Sequence, residues 1–323
     1  MLAAPFPRRE PATATVEVMG KRLAAHDVVV LDLAAPGRAR LPDWTPGAHI
    51  DLVLPNGMTR QYSLCGDRWD AYSYRVAVLR EPSGRDASAF VHRALAVGDR
   101  LAVGTPRNNF PLVPADEYVF IAGGIGITPL VPMVNQAVRQ RIRWRLLYAG
   151  RGRASMVFLD ESAGSGPDVR VAARDEGSRF DLAAELGAPR AGVAVYCCGP
   201  DRLLRAVEDL MAGWPPYTLR TERFTPAVPA SHPLDQSFEV ELARTGKTLK
   251  VRPDESVLSR LKQAGADVLS SCGRGLCGTF EVTVLEGEPE HRDSLLDDDE
   301  RRAGDCMYVC VSRSRTPRLV LDL

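Results

Sequence analysis

The sequence has no excess of either charge, since 41 Lys and Arg residues balance 41 Asp and Glu residues over 323 positions. Proteins that bind nucleic acid or an anionic membrane surface usually carry a clustered basic excess, so this balance argues against both partners. The most apolar run, 118–134, is too short for a typical membrane span and contains three glycines and two prolines. We therefore expect a protein with neither a nucleic-acid nor a membrane partner.

Targeting and hydrolase signals are also missing. Residues 1–15 contain no apolar stretch of signal-peptide length, so we expect a cytoplasmic protein. The five histidines are scattered, and neither a Ser-His-Asp order nor an HExxH pattern favours a hydrolase. Seven cysteines are present, and in a reducing compartment clustered cysteines bind metal more often than they form disulfides.

The length predicts two or three domains. Residues 1–113 hold short β-branched or aromatic segments separated by Pro, Gly, Asn and Asp, a pattern typical of a small antiparallel barrel. One helix is expected late in this barrel, at 88–95. The expected strands are 15–18, 28–32, 49–54, 60–64, 74–79 and 100–103.

The pattern changes after residue 113. Strands alternate with helices over 114–226, which predicts a doubly wound parallel α/β sheet. Residues 227–236 are rich in Pro and polar side chains and are typical of a linker. A third unit, 237–323, is expected to contain two early strands, a helix and a late strand at 307–313. The predicted fold class is thus multi-domain, with β and α/β parts.

Two glycine-containing turns point to a nucleotide site. The first, Gly123 to Pro129, follows a predicted strand and opens a helix, where free backbone N–H groups can bind a phosphate. The second, Cys198-Gly199-Pro200, ends another strand of the same predicted sheet, at the edge where such folds bind ligands. One such turn alone is equally typical of a tight strand–helix connection, but two at one edge favour a nucleotide.

A third motif, Arg60-Gln61-Tyr62-Ser63, ends a predicted barrel strand. Arg offers a fixed fork of donors, Tyr a flat stacking surface and Ser a hydroxyl. This motif alone is unspecific. In this order, however, the three motifs resemble the ferredoxin-NADP reductase superfamily, and with the third unit the chain resembles the phthalate dioxygenase reductase family.

The resemblance implies an FMN-binding barrel, an NAD(P)H-binding α/β domain and a C-terminal β-grasp domain with a plant-type [2Fe-2S] cluster. It implies a monomeric oxidoreductase that passes electrons from NAD(P)H through FMN and the cluster to a terminal oxygenase. That oxygenase would be a Rieske aromatic oxygenase or demethylase, or a haem-thiolate monooxygenase.

The family motifs assign roles to residues of this sequence. Cys198, Phe224 and Ser63 are implied at the reacting centre, and Ser88 is expected to cap the helix beside the flavin phosphate. The implied flavin-binding residues are Arg60, Gln61, Tyr62, Ser63, Ala77, Val78, Gly84, Arg85, Ser88 and Phe224. The implied nucleotide-binding residues are Gly124, Gly126, Ile127, Thr128, Pro129, Cys198, Gly199 and Pro200.

The choice between NADH and NADPH is open at this point. An acid at the end of the second sheet strand would favour the ribose hydroxyl of NADH, and an Arg would favour the 2′-phosphate of NADPH. After Ala149 the sequence supplies Arg151 and Arg153 and no acid until Asp160. We favour NADH, the family default, and expect Arg151 or Arg153 to contact any 2′-phosphate.

The cluster motif departs from its family at one position. Plant-type clusters use the spacing C-x4-C-x2-C and a distant fourth cysteine. Cys272, Cys277 and Cys310 match, whereas Phe280 stands at the third position. Cys306 is rejected as a replacement for the missing ligand, because four residues of extended strand would place it roughly 13 Å from Cys310. We therefore expect a cluster that is absent, incomplete or labile.

Two alternatives follow. A flavin-only NAD(P)H diaphorase is an enzyme that makes no use of its ferredoxin-like unit, which Phe280 favours. A non-catalytic electron-carrier or docking module would be favoured only if FMN fails to bind.

Overall fold

The computed structural model describes residues 13–81, 87–163, 166, 168–224, 236–266, 275, 278, 281–296 and 298–323. The described residues up to Arg223 form one compact unit, and those from Phe224 onward form another. The predicted boundary between 113 and 114 falls inside the first unit and stays a prediction. The predicted linker, 227–236, lies outside the described residues except for its last position.

The N-terminal part of the first unit is a six-stranded antiparallel sheet. Its strands are β1 (Thr13–Ala25), β2 (Val28–Ala34), β3 (His49–Val53), β4 (Thr59–Ser63), β5 (Ser73–Leu79) and β6 (Arg100–Gly104), with the short helix α1 (Ala87–Arg93) before β6. The order is β4-β3-β6-β1-β2-β5. An isolated bridge between Leu64 and Val76 joins the two outer strands, which closes the sheet as the barrel prediction requires.

The second part of this unit is a parallel sheet of order β11-β10-β7-β8-β9. It comprises β7 (Glu117–Gly123), α2 (Leu130–Gln140), β8 (Arg143–Gly150), α3 (Leu159–Ala163), β9 (Val169–Ala173), α4 (Leu182–Leu186), β10 (Val193–Cys198), α5 (Asp201–Met211) and β11 (Leu219–Glu222). Within the described part of the chain, no helix is long and apolar enough to cross a membrane.

Alternate residues of β7 enter different buried clusters, which confirms that the sheet is covered on both faces. Phe120 and Ala122 cluster with side chains of α2, whereas Val119 and Ile121 cluster with side chains of α5. The α2 cluster also contains Val28, Val30 and Ala77 of the barrel. The barrel and the parallel sheet therefore share one apolar core.

The second unit is built on a mixed sheet of order β13-β12-β18-β14-β16. Its elements are β12 (Phe238–Leu242), β13 (Lys247–Val251), α6 (Val257–Gln263), β14 (Glu281–Glu286), β15 (Pro289–Glu290), α7 (Asp298–Ala303), β16 (Cys306–Tyr308), β17 (Arg313–Ser314) and β18 (Arg318–Leu321). Helix α6 starts after Ser256, whose side chain accepts a hydrogen bond from the Ser259 N–H, and buries its apolar side against the sheet. This arrangement agrees with the predicted β-grasp domain.

The prediction of one late strand at 307–313 is only partly right, because two short strands, β16 and β17, lie at its ends. Strand β16 ends at Tyr308, and the backbone N–H groups of Val311 and Ser312 donate to the Tyr308 carbonyl at 3.2 and 3.0 Å. The chain therefore turns after Tyr308, and only the first part of the span from Cys306 to Cys310 is extended. The two cysteines are closer together than the roughly 13 Å that a fully extended strand would give.

Candidate active site

The Arg60–Ser63 motif lies where the barrel closes. Because Leu64 pairs with Val76 across antiparallel strands, Ser63 and Ala77 stand at neighbouring positions of β4 and β5. Ser63 is buried, and Tyr62 packs against the barrel core, where burial raises the pKa of its hydroxyl to about 12. The tyrosine is therefore a neutral, fixed aromatic surface.

Gln61 provides a test of whether a flavin fits this corner. Its amide nitrogen Nε2 is buried and has no hydrogen-bond partner among the described residues. A buried donor without a partner is costly, and a flavin ring presents carbonyl and nitrogen acceptors that would satisfy it. The residues present thus fit the group that the motif predicts.

The predicted role of Ser88 as a helix cap is wrong. Helix α1 begins at Ala87, so Ser88 lies inside its first turn, and its hydroxyl accepts a hydrogen bond from the Glu81 N–H at 3.2 Å. The hydroxyl keeps its own proton to donate. Its contact with a flavin phosphate stays a prediction, and the neighbouring Gly84 and Arg85 lie outside the described residues.

The structure brings the two glycine turns together. A Cβ atom on Gly126 would lie 2.3 Å from the Cys198 carbonyl oxygen, so only glycine fits where these turns touch. Gly124 has a φ of 55° and no heavy atom within 4 Å of where its Cβ would be, which leaves its backbone open to a ligand. Thr128 is buried and donates its hydroxyl to the Ile125 carbonyl at 3.0 Å.

Glu222 is a residue that sequence reasoning missed. It ends strand β11 and stands beside Cys198 in the parallel register of β10 and β11. Its Oε2 atom is buried without a hydrogen-bond partner among the described residues, and burial raises the pKa of the carboxyl group to about 8. Its position at the carboxyl end of a predicted strand was the only feature of the sequence that could have marked Glu222 as a site residue.

Cys198 stands beside this acid and belongs to a buried cluster that also contains barrel residues. Burial, and secondarily the Glu222 carboxylate, raise the pKa of the Cys198 thiol well above its usual range. The thiol is therefore neutral. Cys198 belongs to the same buried cluster as Ile127 and the barrel residue Ala77, so the predicted flavin strand and the predicted nucleotide turns share one core.

Acidic residues face the Gly-Arg segment that follows β8. The Asp175 carboxylate lies against Gly152, since a Cβ there would be 2.1 Å from Asp175 Oδ2. Glu176 accepts a hydrogen bond from Arg153 Nε at 2.7 Å, and both Arg151 and Arg153 are exposed. Sequence analysis did not find these acids, because it considered the segment after β8 and they follow β9, the next strand of the sheet.

The second unit contributes few described residues to the predicted site. Phe224, its first residue, is 37% exposed, and Cys310 is buried. Cys272, Cys277 and Phe280 lie outside the described residues. Among the residues that the structure does describe, no group of three or more His, Cys, Asp or Glu side chains is placed to hold a metal ion.

Comparisons with known proteins agree with this architecture. A family model for the 2Fe-2S iron-sulfur cluster binding domain matches residues 240–315. The chain is 43% identical over 301 residues to phenoxybenzoate dioxygenase subunit beta of Ectopseudomonas oleovorans, covering 93% of this chain and 94% of that one.

Two solved structures extend the comparison. Phthalate dioxygenase reductase, described as modular for electron transfer from pyridine nucleotides to [2Fe-2S], is 34% identical with a TM-score of 0.71, covering 97% of this chain and 98% of that one. An intact type IV self-sufficient cytochrome P450 monooxygenase is 41% identical to this chain, with a TM-score of 0.89. The match covers 98% of this chain but only 43% of the monooxygenase chain. Because relatives more than 30% identical match nearly its whole length, the chain belongs to the phthalate dioxygenase reductase family and is an oxidoreductase of the flavin and iron–sulfur type.

Proposed function

We propose that this protein is the NADH-dependent reductase component of an oxygenase system, passing electrons through FMN and a [2Fe-2S] centre to a terminal oxygenase. The observation that carries the proposal is the buried cluster that joins Ala77 of the barrel to Ile127 and Cys198 of the sheet edge. It holds the flavin strand and the nucleotide turns in one unit. The full-length match to an oxygenase subunit supports this function over the flavin-only diaphorase.

The bound groups supply the redox chemistry, since flavin accepts hydride from nicotinamide and an iron–sulfur cluster carries single electrons. The protein holds them in position. Gln61 would donate to the flavin ring, Tyr62 would present its aromatic surface, and the open backbone at Gly124 would approach the nucleotide phosphates.

Cys198 and Glu222 are both neutral and buried. They would exclude water and negative charge from the sheet edge where the nicotinamide is expected to bind. A carboxyl with a pKa of about 8 retains its proton at pH 7. It can therefore donate a hydrogen bond to the nicotinamide amide, which an ionised carboxylate could not do.

NADH is the proposed donor because the acids Asp175 and Glu176 face the segment expected to meet the adenosine ribose. A carboxylate accepts a hydrogen bond from a ribose 2′-hydroxyl and repels a 2′-phosphate. We expect the double variant Asp175→Ser, Glu176→Gln to raise the kcat/KM ratio of NADPH to NADH by at least about tenfold. Arg151→Ala and Arg153→Ala should lower that ratio in the same background, and unchanged ratios in every variant would eliminate this assignment.

The proposal as a whole is tested by flavin identity and electron delivery. The purified protein should release FMN on acid treatment and should oxidise NADH with ferricyanide as acceptor. A protein that binds no flavin after reconstitution would be a docking module instead. Transfer of NADH electrons from the Phe280→Cys protein, which has the full cysteine spacing, to a candidate terminal oxygenase, with product formed only when both proteins are present, would identify the acceptor.

A further inference from the structure

A cavity of about 370 Å³ opens where the barrel meets the parallel sheet, away from the predicted cofactor sites. Its walls come from the loop before β3, the segment between β6 and β7, and the end of α2. Pro46, Pro111, Leu112, Pro114 and Ile142 make these walls largely apolar. The cavity is more than twice the size of the ~150 Å³ cavity that admits one benzene ring in a protein core.

The position separates this cavity from the nucleotide edge. Tyr118, which lines it, stands near the start of β7, whereas Gly123 ends that strand at the glycine turn. The five residue steps of extended strand from one to the other span roughly 16 Å. A ligand in the cavity would therefore lie at the opposite edge of the sheet from the nicotinamide.

Two polar groups in the cavity have unused hydrogen-bonding capacity. Gln136 lines it, and the Oε1 atom of this side chain is buried with no partner among the described residues. Arg68 also lines it and donates one Nη1 hydrogen bond to the Trp44 carbonyl. Because a guanidinium group carries five N–H donors, Arg68 retains further donors for a ligand.

A second cation stands beside Arg68. The guanidinium carbons of Arg68 and Arg139 lie 4.5 and 5.0 Å from the Trp69 ring centroid, so both charges flank one indole. Arg68 also lies 3.7 Å from Asp43, whose side chain is 68% exposed, so water screens this contact strongly. The Asp67 carboxylate accepts a hydrogen bond from the Trp69 N–H at 3.0 Å, so the entrance has charges of both signs, and the positive group that lines the cavity is Arg68.

We propose that this cavity binds a small aromatic carboxylate, with its ring between the proline and aliphatic walls and its carboxylate on Arg68. A planar fork of donors matches a carboxylate in geometry as well as in charge. The Gln136 amide, which can present its oxygen or its nitrogen, would hold a polar substituent on the ring. Such a ligand would contact the barrel and the sheet at once and would stabilise their mutual packing.

Benzoate and 4-hydroxybenzoate are the probes, titrated into the full-length protein as purified and followed by calorimetry and saturation-transfer NMR. We expect saturable binding of one molecule per chain with a Kd of about 1 mM or tighter. Arg68→Gln should weaken benzoate binding by about tenfold or more, because it removes a charge-assisted hydrogen bond. Benzyl alcohol, which has the ring without the charge, should bind more weakly than benzoate.

Two controls keep the test decisive. Arg40→Gln changes an exposed arginine of the same unit that does not line the cavity, and it should bind benzoate like the starting protein. Gln136→Leu leaves Arg68 in place and should weaken 4-hydroxybenzoate more than benzoate, which separates loss of a contact from loss of folding. Absence of saturable binding, equal affinities in Arg68→Gln and Arg40→Gln, or displacement of benzoate by NADH would each overturn the proposal.

Discussion

The carboxyl group of Glu222 is neutral at pH 7 in the folded protein, because burial raises its pKa to about 8 from an ordinary value of 4.5. Between these two values the folded protein binds one proton more than the unfolded chain at this position. The free energy of unfolding must then fall as the pH rises. The contribution of Glu222 is fully present below pH 4.5 and is lost as the pH rises through 8.

Replacing Glu222 by Gln removes this titration while keeping the side-chain shape. We expect the Glu222→Gln protein to lose less stability between pH 5 and pH 8.5 than the starting protein, measured as the urea midpoint of unfolding at each pH. Asp209→Asn is the matched control, since Asp209 is an exposed acid on the neighbouring helix α5. If Glu222→Gln and Asp209→Asn show the same pH dependence as the starting protein, the carboxyl of Glu222 is not neutral in the folded state.

Gly126 offers a steric prediction. An added methyl group would meet the Cys198 carbonyl oxygen at 2.3 Å, and both atoms belong to backbone that cannot move far. We expect Gly126→Ala to lower the free energy of unfolding by about 1–3 kcal/mol and to weaken NADH binding. Gly213→Ala, where a Cβ would meet nothing within 4 Å, should change neither quantity. Equal stability of the two variants would show that the turns do not touch.

At this scale the sequence predicts motif residues well and their partners poorly. Gly126 and Cys198 belong to local patterns that follow strands, so their proximity follows from the rule that parallel strands end at one edge. The importance of Glu222 and Asp175 depends on the order of the strands in the sheet and on the burial of these side chains. No local sequence pattern encodes the strand order or the burial.

Secondary-structure elements show the same limit at their ends. The strand interiors were predicted correctly because alternating or continuous apolar residues fix them. The predicted start of α1 differs from the observed start by one residue, and the predicted late strand continues past the end of β16. Two N–H groups that donate to the Tyr308 carbonyl turn the chain, although residues 309–313 have the composition of a strand.

Arg313 in β17 holds this turn region to the rest of its unit. It is 6% exposed, donates to the backbone carbonyls of Gln236, Arg252 and Glu255 at 2.7–3.1 Å, and lies over the Phe238 ring. Arg313→Met would remove a donor from each of these carbonyls, and among the described residues only the Arg252 carbonyl would keep another, the Glu255 N–H at 3.1 Å. We expect it to lower the free energy of unfolding by about 2 kcal/mol or more.

The control for that variant is Arg315→Met, which changes an exposed arginine two residues away. Thermal unfolding of the two variants beside the starting protein gives the comparison. If Arg313→Met is as stable as Arg315→Met, the buried guanidinium does not contribute to the stability of this unit.

Across the whole molecule, the barrel and parallel sheet share a core, whereas the ferredoxin-like part forms a separate compact unit. Substitutions in one unit should therefore leave the chemistry of the other largely intact. The three-part organisation stays a prediction. The predicted end of the α/β domain at 226 is close to the division after Arg223.

This separation makes Phe280 testable. Ferricyanide can take electrons at the flavin, whereas cytochrome c reduction usually needs the cluster. Phe280→Cys restores the third cysteine of the C-x4-C-x2-C spacing. We expect it to raise bound iron to about two atoms per chain, with acid-labile sulfide to match. NADH-dependent cytochrome c reduction should rise with the iron content, while ferricyanide reduction stays unchanged.

The turn after Tyr308 requires Cys306 to be included in this comparison, since it shortens the distance on which Cys306 was rejected. Cys306 is not one of the cysteines that match the plant-type spacing. We therefore expect Cys306→Ser to leave the iron content of the Phe280 protein unchanged. Stable, stoichiometric iron in the Phe280 protein that disappears in Cys306→Ser would show instead that Cys306 supplies the missing ligand.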